Sequence, residues 1–209
     1  NTPYQLLSGL VGSEMCIRDR FYSASGSVKN LAHAIADGAE NESMDIKIRT
    51  VPKVSPSVEK SDPDIPNSGE IYCTKEDLIN CSGLALGSPT RFGSMAAPLK
   101  YFLDTTGDLW ATNALENKPG IAFTSTGSMH GGQEVTIFNL ITFMLHHGMI
   151  ISGTPYSFTN LNKTKSGGTP YGPSHVENFN SSNELTKDEY EIAKNSGARL
   201  AQLIKKINA

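Results

Sequence analysis

Gly87-Ser88-Pro89-Thr90-Arg91-Phe92-Gly93-Ser94-Met95 follows directly on the apolar run Leu84-Ala85-Leu86. The run reads as a buried strand and the segment after it as a glycine-proline turn. A turn of small residues at the carboxyl end of such a strand is where an open α/β sheet holds its ligand. The backbone can approach a flat ring there, and Arg91 and Phe92 offer a cation and an aromatic face. Two more Gly/Ser/Thr-rich turns, Ser23–Ser27 and Ser125–Gly132, have the same character. Three turns of one kind predict one shared ligand.

Working outward, strand and helix patterns alternate. Val28, Leu31, Ala32, Ile35, Ala36 and Ala39 form an apolar stripe at helical spacing, capped by Ser23–Ser27. Met44–Val51 alternates with period two and reads as a strand. Pro52–Gly69 carries four prolines and reads as an irregular connection. Thr74–Leu78 reads as a capped short helix, Met95–Leu103 as a helix running on to Asp104, and Ile121-Ala122-Phe123 as a second buried strand. Val135–His147 reads as a helix closed by Gly148, Met149-Ile150-Ile151 as a strand and Asp188–Ile207 as an amphipathic helix. Thr154–Asn183 is read as one long functional loop. The alternation predicts a doubly wound parallel sheet with helices on both faces.

At 209 residues the chain suits one α/β domain. A net charge of −3 argues against a nucleic-acid-binding surface, and no apolar run is long enough for a membrane span. Three cysteines, Cys16, Cys73 and Cys81, cannot all pair within one chain and point to a reducing, cytoplasmic setting. The first twenty residues are discordant. Arg18-Asp19-Arg20 stands where a strand covered on both faces should be apolar. Tyr4–Arg20 resembles a spurious translated segment found at the ends of assembled environmental sequences. The expectation is therefore that residues 1–20 are a spurious or disordered leader, that the first strand is missing upstream of Phe21, and that the domain spans 21–209.

As chemistry, hydroxyls and a glycine at a helix N-terminus suit a phosphate. Without the Gly-Lys-Ser/Thr of a nucleoside-triphosphate loop, Ser23–Ser27 suits a monophosphate without metal. Taken alone, this turn reads more simply as an ordinary helix cap. Thr90-Arg91-Phe92 suits a flat redox ring, and equally a surface arginine beside a core phenylalanine. A catalytic Ser-His pair is conceivable within Ser125–Glu134, but Gly127-Ser128-Met129 does not match the nucleophile elbow, which leaves hydrolysis a distant reading. Adjacent His146 and His147 point in different directions and make a poor metal pair. Trp110, the only tryptophan, follows a polar loop and suits stacking on a planar substrate.

Taken together, these stretches resemble the tryptophan-repressor-binding-protein family of flavodoxin-like NAD(P)H:quinone oxidoreductases (type IV). The resemblance lies in Gly87–Met95, Phe102–Trp110, Phe123–Glu134, His146–Met149 and Gly167–Gly172, and runs from about Phe21 to the C-terminus. It implies a flavodoxin-like five-stranded sheet and FMN as cofactor. Ser23, Ala24, Ser25, Gly26, Ser27 and Val28 would cradle the phosphate, and Thr90, Arg91 and Phe92 would line the isoalloxazine. Ser125, Thr126, Gly127, Ser128, Met129 and His130 would wrap its other side. His146 would close the pocket, from a neighbouring subunit, and Trp110 would wall the substrate site. NADH or NADPH would deliver a hydride to flavin N5 and a quinone would take two electrons in turn. A homotetramer or dimer is implied, with Pro52–Gly69 and Thr154–Asn183 as interface elements. Ser25 departs from the family, which has an aromatic residue there, and leaves the choice of nicotinamide open. The competing readings are a flavodoxin-type electron carrier and an FMN-binding regulatory protein without turnover.

Overall fold

The computed structural model describes residues 16–23, 26–54, 70–177 and 183–209, and of residues 18–20 the main chain only. Residues 1–15, Ala24 and Ser25 of the first turn, and most of the Pro52–Gly69 connection lie outside the described residues.

The middle of the sheet is β3 (Gly83–Arg91), buried from Gly83 through Pro89. It pairs in parallel with β1 (Cys16–Phe21) on one side and β5 (Pro119–Thr126) on the other. Contrary to the expectation of a turn at Gly87, the strand continues to Arg91, with Pro89 in register with Ser125. The reason lies in the pairing. β1 stops at Gly87, so beyond it β3 is paired in parallel with β5 alone, where a missing N–H is tolerated. The chain reverses at Phe92-Gly93 instead, where φ is 53° and 79°, before antiparallel β4 (Ser94–Met95). Two consecutive left-handed residues are what a two-residue hairpin requires.

On the other side of β3, Cys16–Phe21 forms the described strand, paired to β3 and also to β2 (Asp45–Thr50). Ladders are made by main chain, whatever the side chains, and Cys16, Ile17 and Phe21 supply its buried positions.

The sheet order is β2-β1-β3-β5-β6, the flavodoxin-like doubly wound order expected. It is five positions wide, but the fifth is split. β6 (Ile150–Ile151) pairs with Pro119-Gly120, and β7 (Ser174–Val176) pairs with Thr124–Thr126 further along the same strand. The stretch expected as one long loop, Thr154–Asn183, therefore contains β7 and a short 3₁₀ turn at Thr159–Asn162.

Helices α1 (Ser27–Glu40) and α6 (Lys187–Ile207) cover one face, around Leu31, Ile35, Phe123 and Leu200. Their main chains touch: a Cβ on Gly38 would lie 1.7 Å from the Lys194 carbonyl, and one on Gly197 1.9 Å from that of Ile35. The other face is covered by α2 (Lys75–Ile79), α3 (Ala97–Asp104), α4 (Gly107–Ala111) and α5 (Gln133–His146), around Leu84, Leu86, Leu99, Leu140 and Met144. Within β3 and β5, Gly87 makes room for a ring: a Cβ there would stand 2.2 Å from Phe123 Cζ.

The split edge is tied down by Glu189, a fully buried residue in the first turn of α6. Its Oε1 accepts from Ser166 Oγ and Gly167 N–H, both at 2.8 Å, and from Val176 N–H at 3.1 Å. Its Oε2 accepts from Thr186 N–H at 2.8 Å and lies 2.9 Å from His175 Nδ1. Burial pushes this carboxyl up; the His175 contact and the backbone donors, Thr186 first, outweigh it and bring the pKa down from 4.5 to about 2.

Candidate functional site

β1, β3 and β5 are adjacent and parallel, so their carboxyl ends deliver the three turns to one edge of the sheet. In the first turn the Ser23 hydroxyl accepts from the N–H groups of Gly26 (3.0 Å) and Lys29 (3.4 Å), capping α1 from outside. Gly26 holds φ 106° at the cap position. Ser27 is buried, and its hydroxyl donates to the Glu177 carboxylate and to Asn183 Oδ1 at 3.2 Å. The Val28 side chain belongs to the core, which leaves only its main chain to face a ligand. Ala24 and Ser25 lie outside the described residues.

Tyr22 N–H donates to the Gly87 carbonyl at 3.2 Å, which links the first turn to β3. In the second turn Thr90 is half-buried and its hydroxyl meets that of Thr136 on α5 at 2.7 Å. The Arg91 guanidinium folds back on the Thr90 carbonyl at 2.8 Å, and Phe92 is fully exposed. The third turn leaves β5 at buried Ser125 and Thr126. Thr126 Oγ1 donates to Ser128 O at 2.9 Å and Gly131 N–H to the same oxygen at 3.0 Å, folding Gly127–Gly131 back on itself. Met129 and His130 are exposed at its tip, and His130 holds φ 60°. Turns two and three touch: a Cβ on Gly132 would lie 3.2 Å from Gly93 Cα. Phe92 and His130, both bulky and both left-handed, thus stand on neighbouring turns. Side chains held in that region cost about 1–2 kcal/mol each and cluster at ligand sites.

The other two expected site residues lie elsewhere. Trp110 and His146 face one cleft of about 570 Å³, lined also by Met95, Leu103, Asn139 and Phe143. α5 runs from the third turn at Gln133 to His146, roughly 20 Å at the helical rise. The structure therefore brings Ser23, Gly26, Ser27, Thr90–Phe92 and Ser125–His130 together, and sets Trp110 with His146 in another cleft, His146 at the far end of α5 from the third turn. His147, behind His146, is buried; burial and its neighbour His146 lower its pKa below 6.5, and its Nε2 lies 3.3 Å from Thr106 Oγ1.

Sequence reasoning passed over four residues. Gln133 is buried at the start of α5 with Oε1 unpartnered. Its Gly-Gly-Gln setting was a signal, since a polar side chain behind a glycine turn faces that turn. Thr136 lies one helical turn further on. Glu177 and Asn183 reach Ser27 across 150 and 156 residues of sequence, and no local pattern marks them.

Comparison with known proteins agrees with this geometry. The NADPH-dependent FMN reductase family matches residues 21–162. A protein of Sinorhizobium fredii named NAD(P)H dehydrogenase (quinone) is 38% identical over 191 residues, covering 90% of this chain and 96% of that protein. One of the same name from Rhizobium rhizogenes is 36% identical over 197 residues, with 90% and 96% covered. Among solved structures, a flavodoxin, WrbA-like protein from Agrobacterium tumefaciens superposes with TM-score 0.64 at 19% identity, covering 92% of this chain and 98% of that one. An archaeal flavodoxin follows at TM-score 0.61 and 21% identity, covering 91% and 99%. The two solved structures share the flavodoxin fold, and on the sequence match the chain belongs to the NADPH-dependent FMN reductase family.

Proposed function

We propose that the chain is an FMN-dependent NAD(P)H:quinone oxidoreductase whose flavin lies across the three turns. The observation that carries this is the meeting of three strand-end turns at the sheet's switch point, two of them held left-handed at Phe92 and His130. The residues fit the cofactor. The start of α1 favours an anion through its dipole and N–H groups. The touching turns at Gly93 and Gly132 leave main chain, not side chains, beside a flat ring. Gln133 Oε1 is a buried acceptor lacking a donor, and an isoalloxazine carries an N–H.

When bound, FMN would supply the redox chemistry, two-electron transfer from a nicotinamide to a quinone. The protein's part is to hold and shield. Ser23, Gly26, Ser27 and the main chain of Val28 hold the phosphate end. Thr90, Arg91 and Phe92 line one side of the ring, and Ser125–His130 the other. Donor and acceptor take turns in one pocket, a ping-pong pattern. Trp110 and His146 wall the substrate space of a neighbouring copy, because within one chain they share a cleft in which His146 stands at the far end of α5 from the third turn. Val135, Phe138 and Leu145, exposed along α5, give that contact its apolar surface. The assembly is a homotetramer or dimer, and the setting is the cytoplasm. Among the described residues no helix is long and apolar enough to cross a membrane.

The test is spectroscopic. Protein supplied with FMN should retain flavin colour, bleach on NADH or NADPH, and regain colour with benzoquinone. Retained flavin that no nicotinamide bleaches would make the chain an electron carrier or a binding protein instead.

A further inference from the structure

The contact between Glu177 and the first turn of α1 has a bearing on the cofactor that the shared fold does not supply. β7 carries Glu177 there: Val176 is in register with Thr126, and the Glu177 N–H donates to Thr126 O at 2.9 Å. The carboxylate accepts from the buried Ser27 hydroxyl. Asn183 secures the arrangement, with its side chain 3.4 Å from a Cβ placed on Gly26 and its carbonyl accepting from Asn30 Nδ2 at 2.6 Å. Lys29, the basic residue of that turn, reaches Glu70 at 3.2 Å. The Glu177 carboxylate stands against the end of α1 assigned above to the phosphate. A helix N-terminus attracts a carboxylate and a phosphate alike, and two anions at one end repel each other.

We propose that Glu177 is an anionic counterweight to the flavin phosphate. It weakens the hold on the phosphorylated flavin relative to the unphosphorylated one, so that FMN stays exchangeable. The proposal rests on the FMN reading and concerns how tightly the phosphate end is held. It also gives the Ser27 hydroxyl a different role, as the anchor of Glu177, with its main chain left for the phosphate.

The experiment titrates the flavin-free full chain with FMN and with riboflavin, followed by flavin fluorescence, for the wild type, Glu177→Gln and Glu177→Lys. Glutamine keeps one acceptor oxygen for the Ser27 hydroxyl, removes the charge and turns the other oxygen into an NH2 donor, which riboflavin, lacking the phosphate, controls for. FMN should bind about ten-fold tighter to Glu177→Gln and tighter still to Glu177→Lys, with riboflavin changed by less than about two-fold. The gain should shrink at about 0.5 M salt, as screening requires. Weaker FMN binding by Glu177→Gln, or equal change for both flavins, overturns the proposal and makes Glu177 a mere brace of the turn. Flavin binding that is insensitive to residue 177 overturns it too, while leaving the FMN reading in place. A wild type that binds neither flavin overturns both.

Discussion

Replacing Glu189 by glutamine tests whether one buried carboxylate holds the split edge of the sheet. Five donors converge on its two oxygens, from Ser166, Gly167, Val176, Thr186 and His175. Glutamine keeps the shape but turns one oxygen into a donor, which must face at least one backbone N–H. The magnitude follows from the carboxyl's fall from 4.5 to about 2. That difference at about 1.4 kcal/mol per pH unit is about 3 kcal/mol of folding free energy. Because the folded-state pKa is the lower one, this stability is fully present above pH 4.5 and is lost as pH falls toward 2. Urea unfolding of the full chain at neutral pH should show the midpoint lowered by roughly 1.5 M, at a slope of about 2 kcal/mol per molar. The gap to wild type should close as the pH drops through the window. Glu191→Gln, two residues away on the same helix, should shift stability by less than about 0.5 kcal/mol. A Glu189→Gln deficit that is equally large at pH 3 and pH 7 would refute the electrostatic account, and a negligible one would refute the hub itself.

Three further outcomes follow from the geometry. Gly87→Ala drives a methyl to 2.2 Å from the Phe123 ring; calorimetry should show a loss of about 1–3 kcal/mol, as for an overpacked core. Phe92→Gly relieves a left-handed residue that buries nothing. It should leave the melting temperature unchanged or raise it, by up to about 1 kcal/mol of stability, while weakening FMN in a fluorescence titration. Trp110→Ala should leave the FMN titration of the protein unchanged and raise the quinone KM several-fold in steady-state assays, because Trp110 lines the cleft of His146, at the far end of α5 from the third turn.

Much of this was legible because it is local. Helical spacing from Val28 to Ala39, and small-residue turns after apolar runs at Leu84 and Ile121, are written within a dozen residues each. Longer-range pairing overrode local signals elsewhere. Pro89 reads as a strand breaker, yet β5 draws Gly87–Arg91 into the sheet. Arg18-Asp19-Arg20 reads as unfit for a central strand, yet its main chain is laddered on both sides. Ser174-His175-Val176 is too short to announce a strand; it becomes one beside Thr124–Thr126, with Glu189 accepting the Val176 N–H. The site divides in the same way. Its turns are visible in sequence, whereas Ser27 meeting Glu177, and Trp110 sharing another cleft with His146, are consequences of assembly.

The divided fifth strand also bears on how the molecule behaves beside others of its kind. A sheet ends in two rows of unpaired amides and carbonyls, and a long flat row invites another chain to add itself. Here the β5 side ends in pieces of two and three residues, separated along the strand and staggered in sequence. At the opposite margin β2 carries Asp45, Lys47 and Arg49, and its last residue, Thr50, is already bridged to Tyr72. Neither margin offers an extended apolar template. The irregularity that concealed β7 in the sequence is thus a guard against edge-to-edge aggregation, and joining β6 and β7 into one continuous apolar strand should make the protein more prone to it.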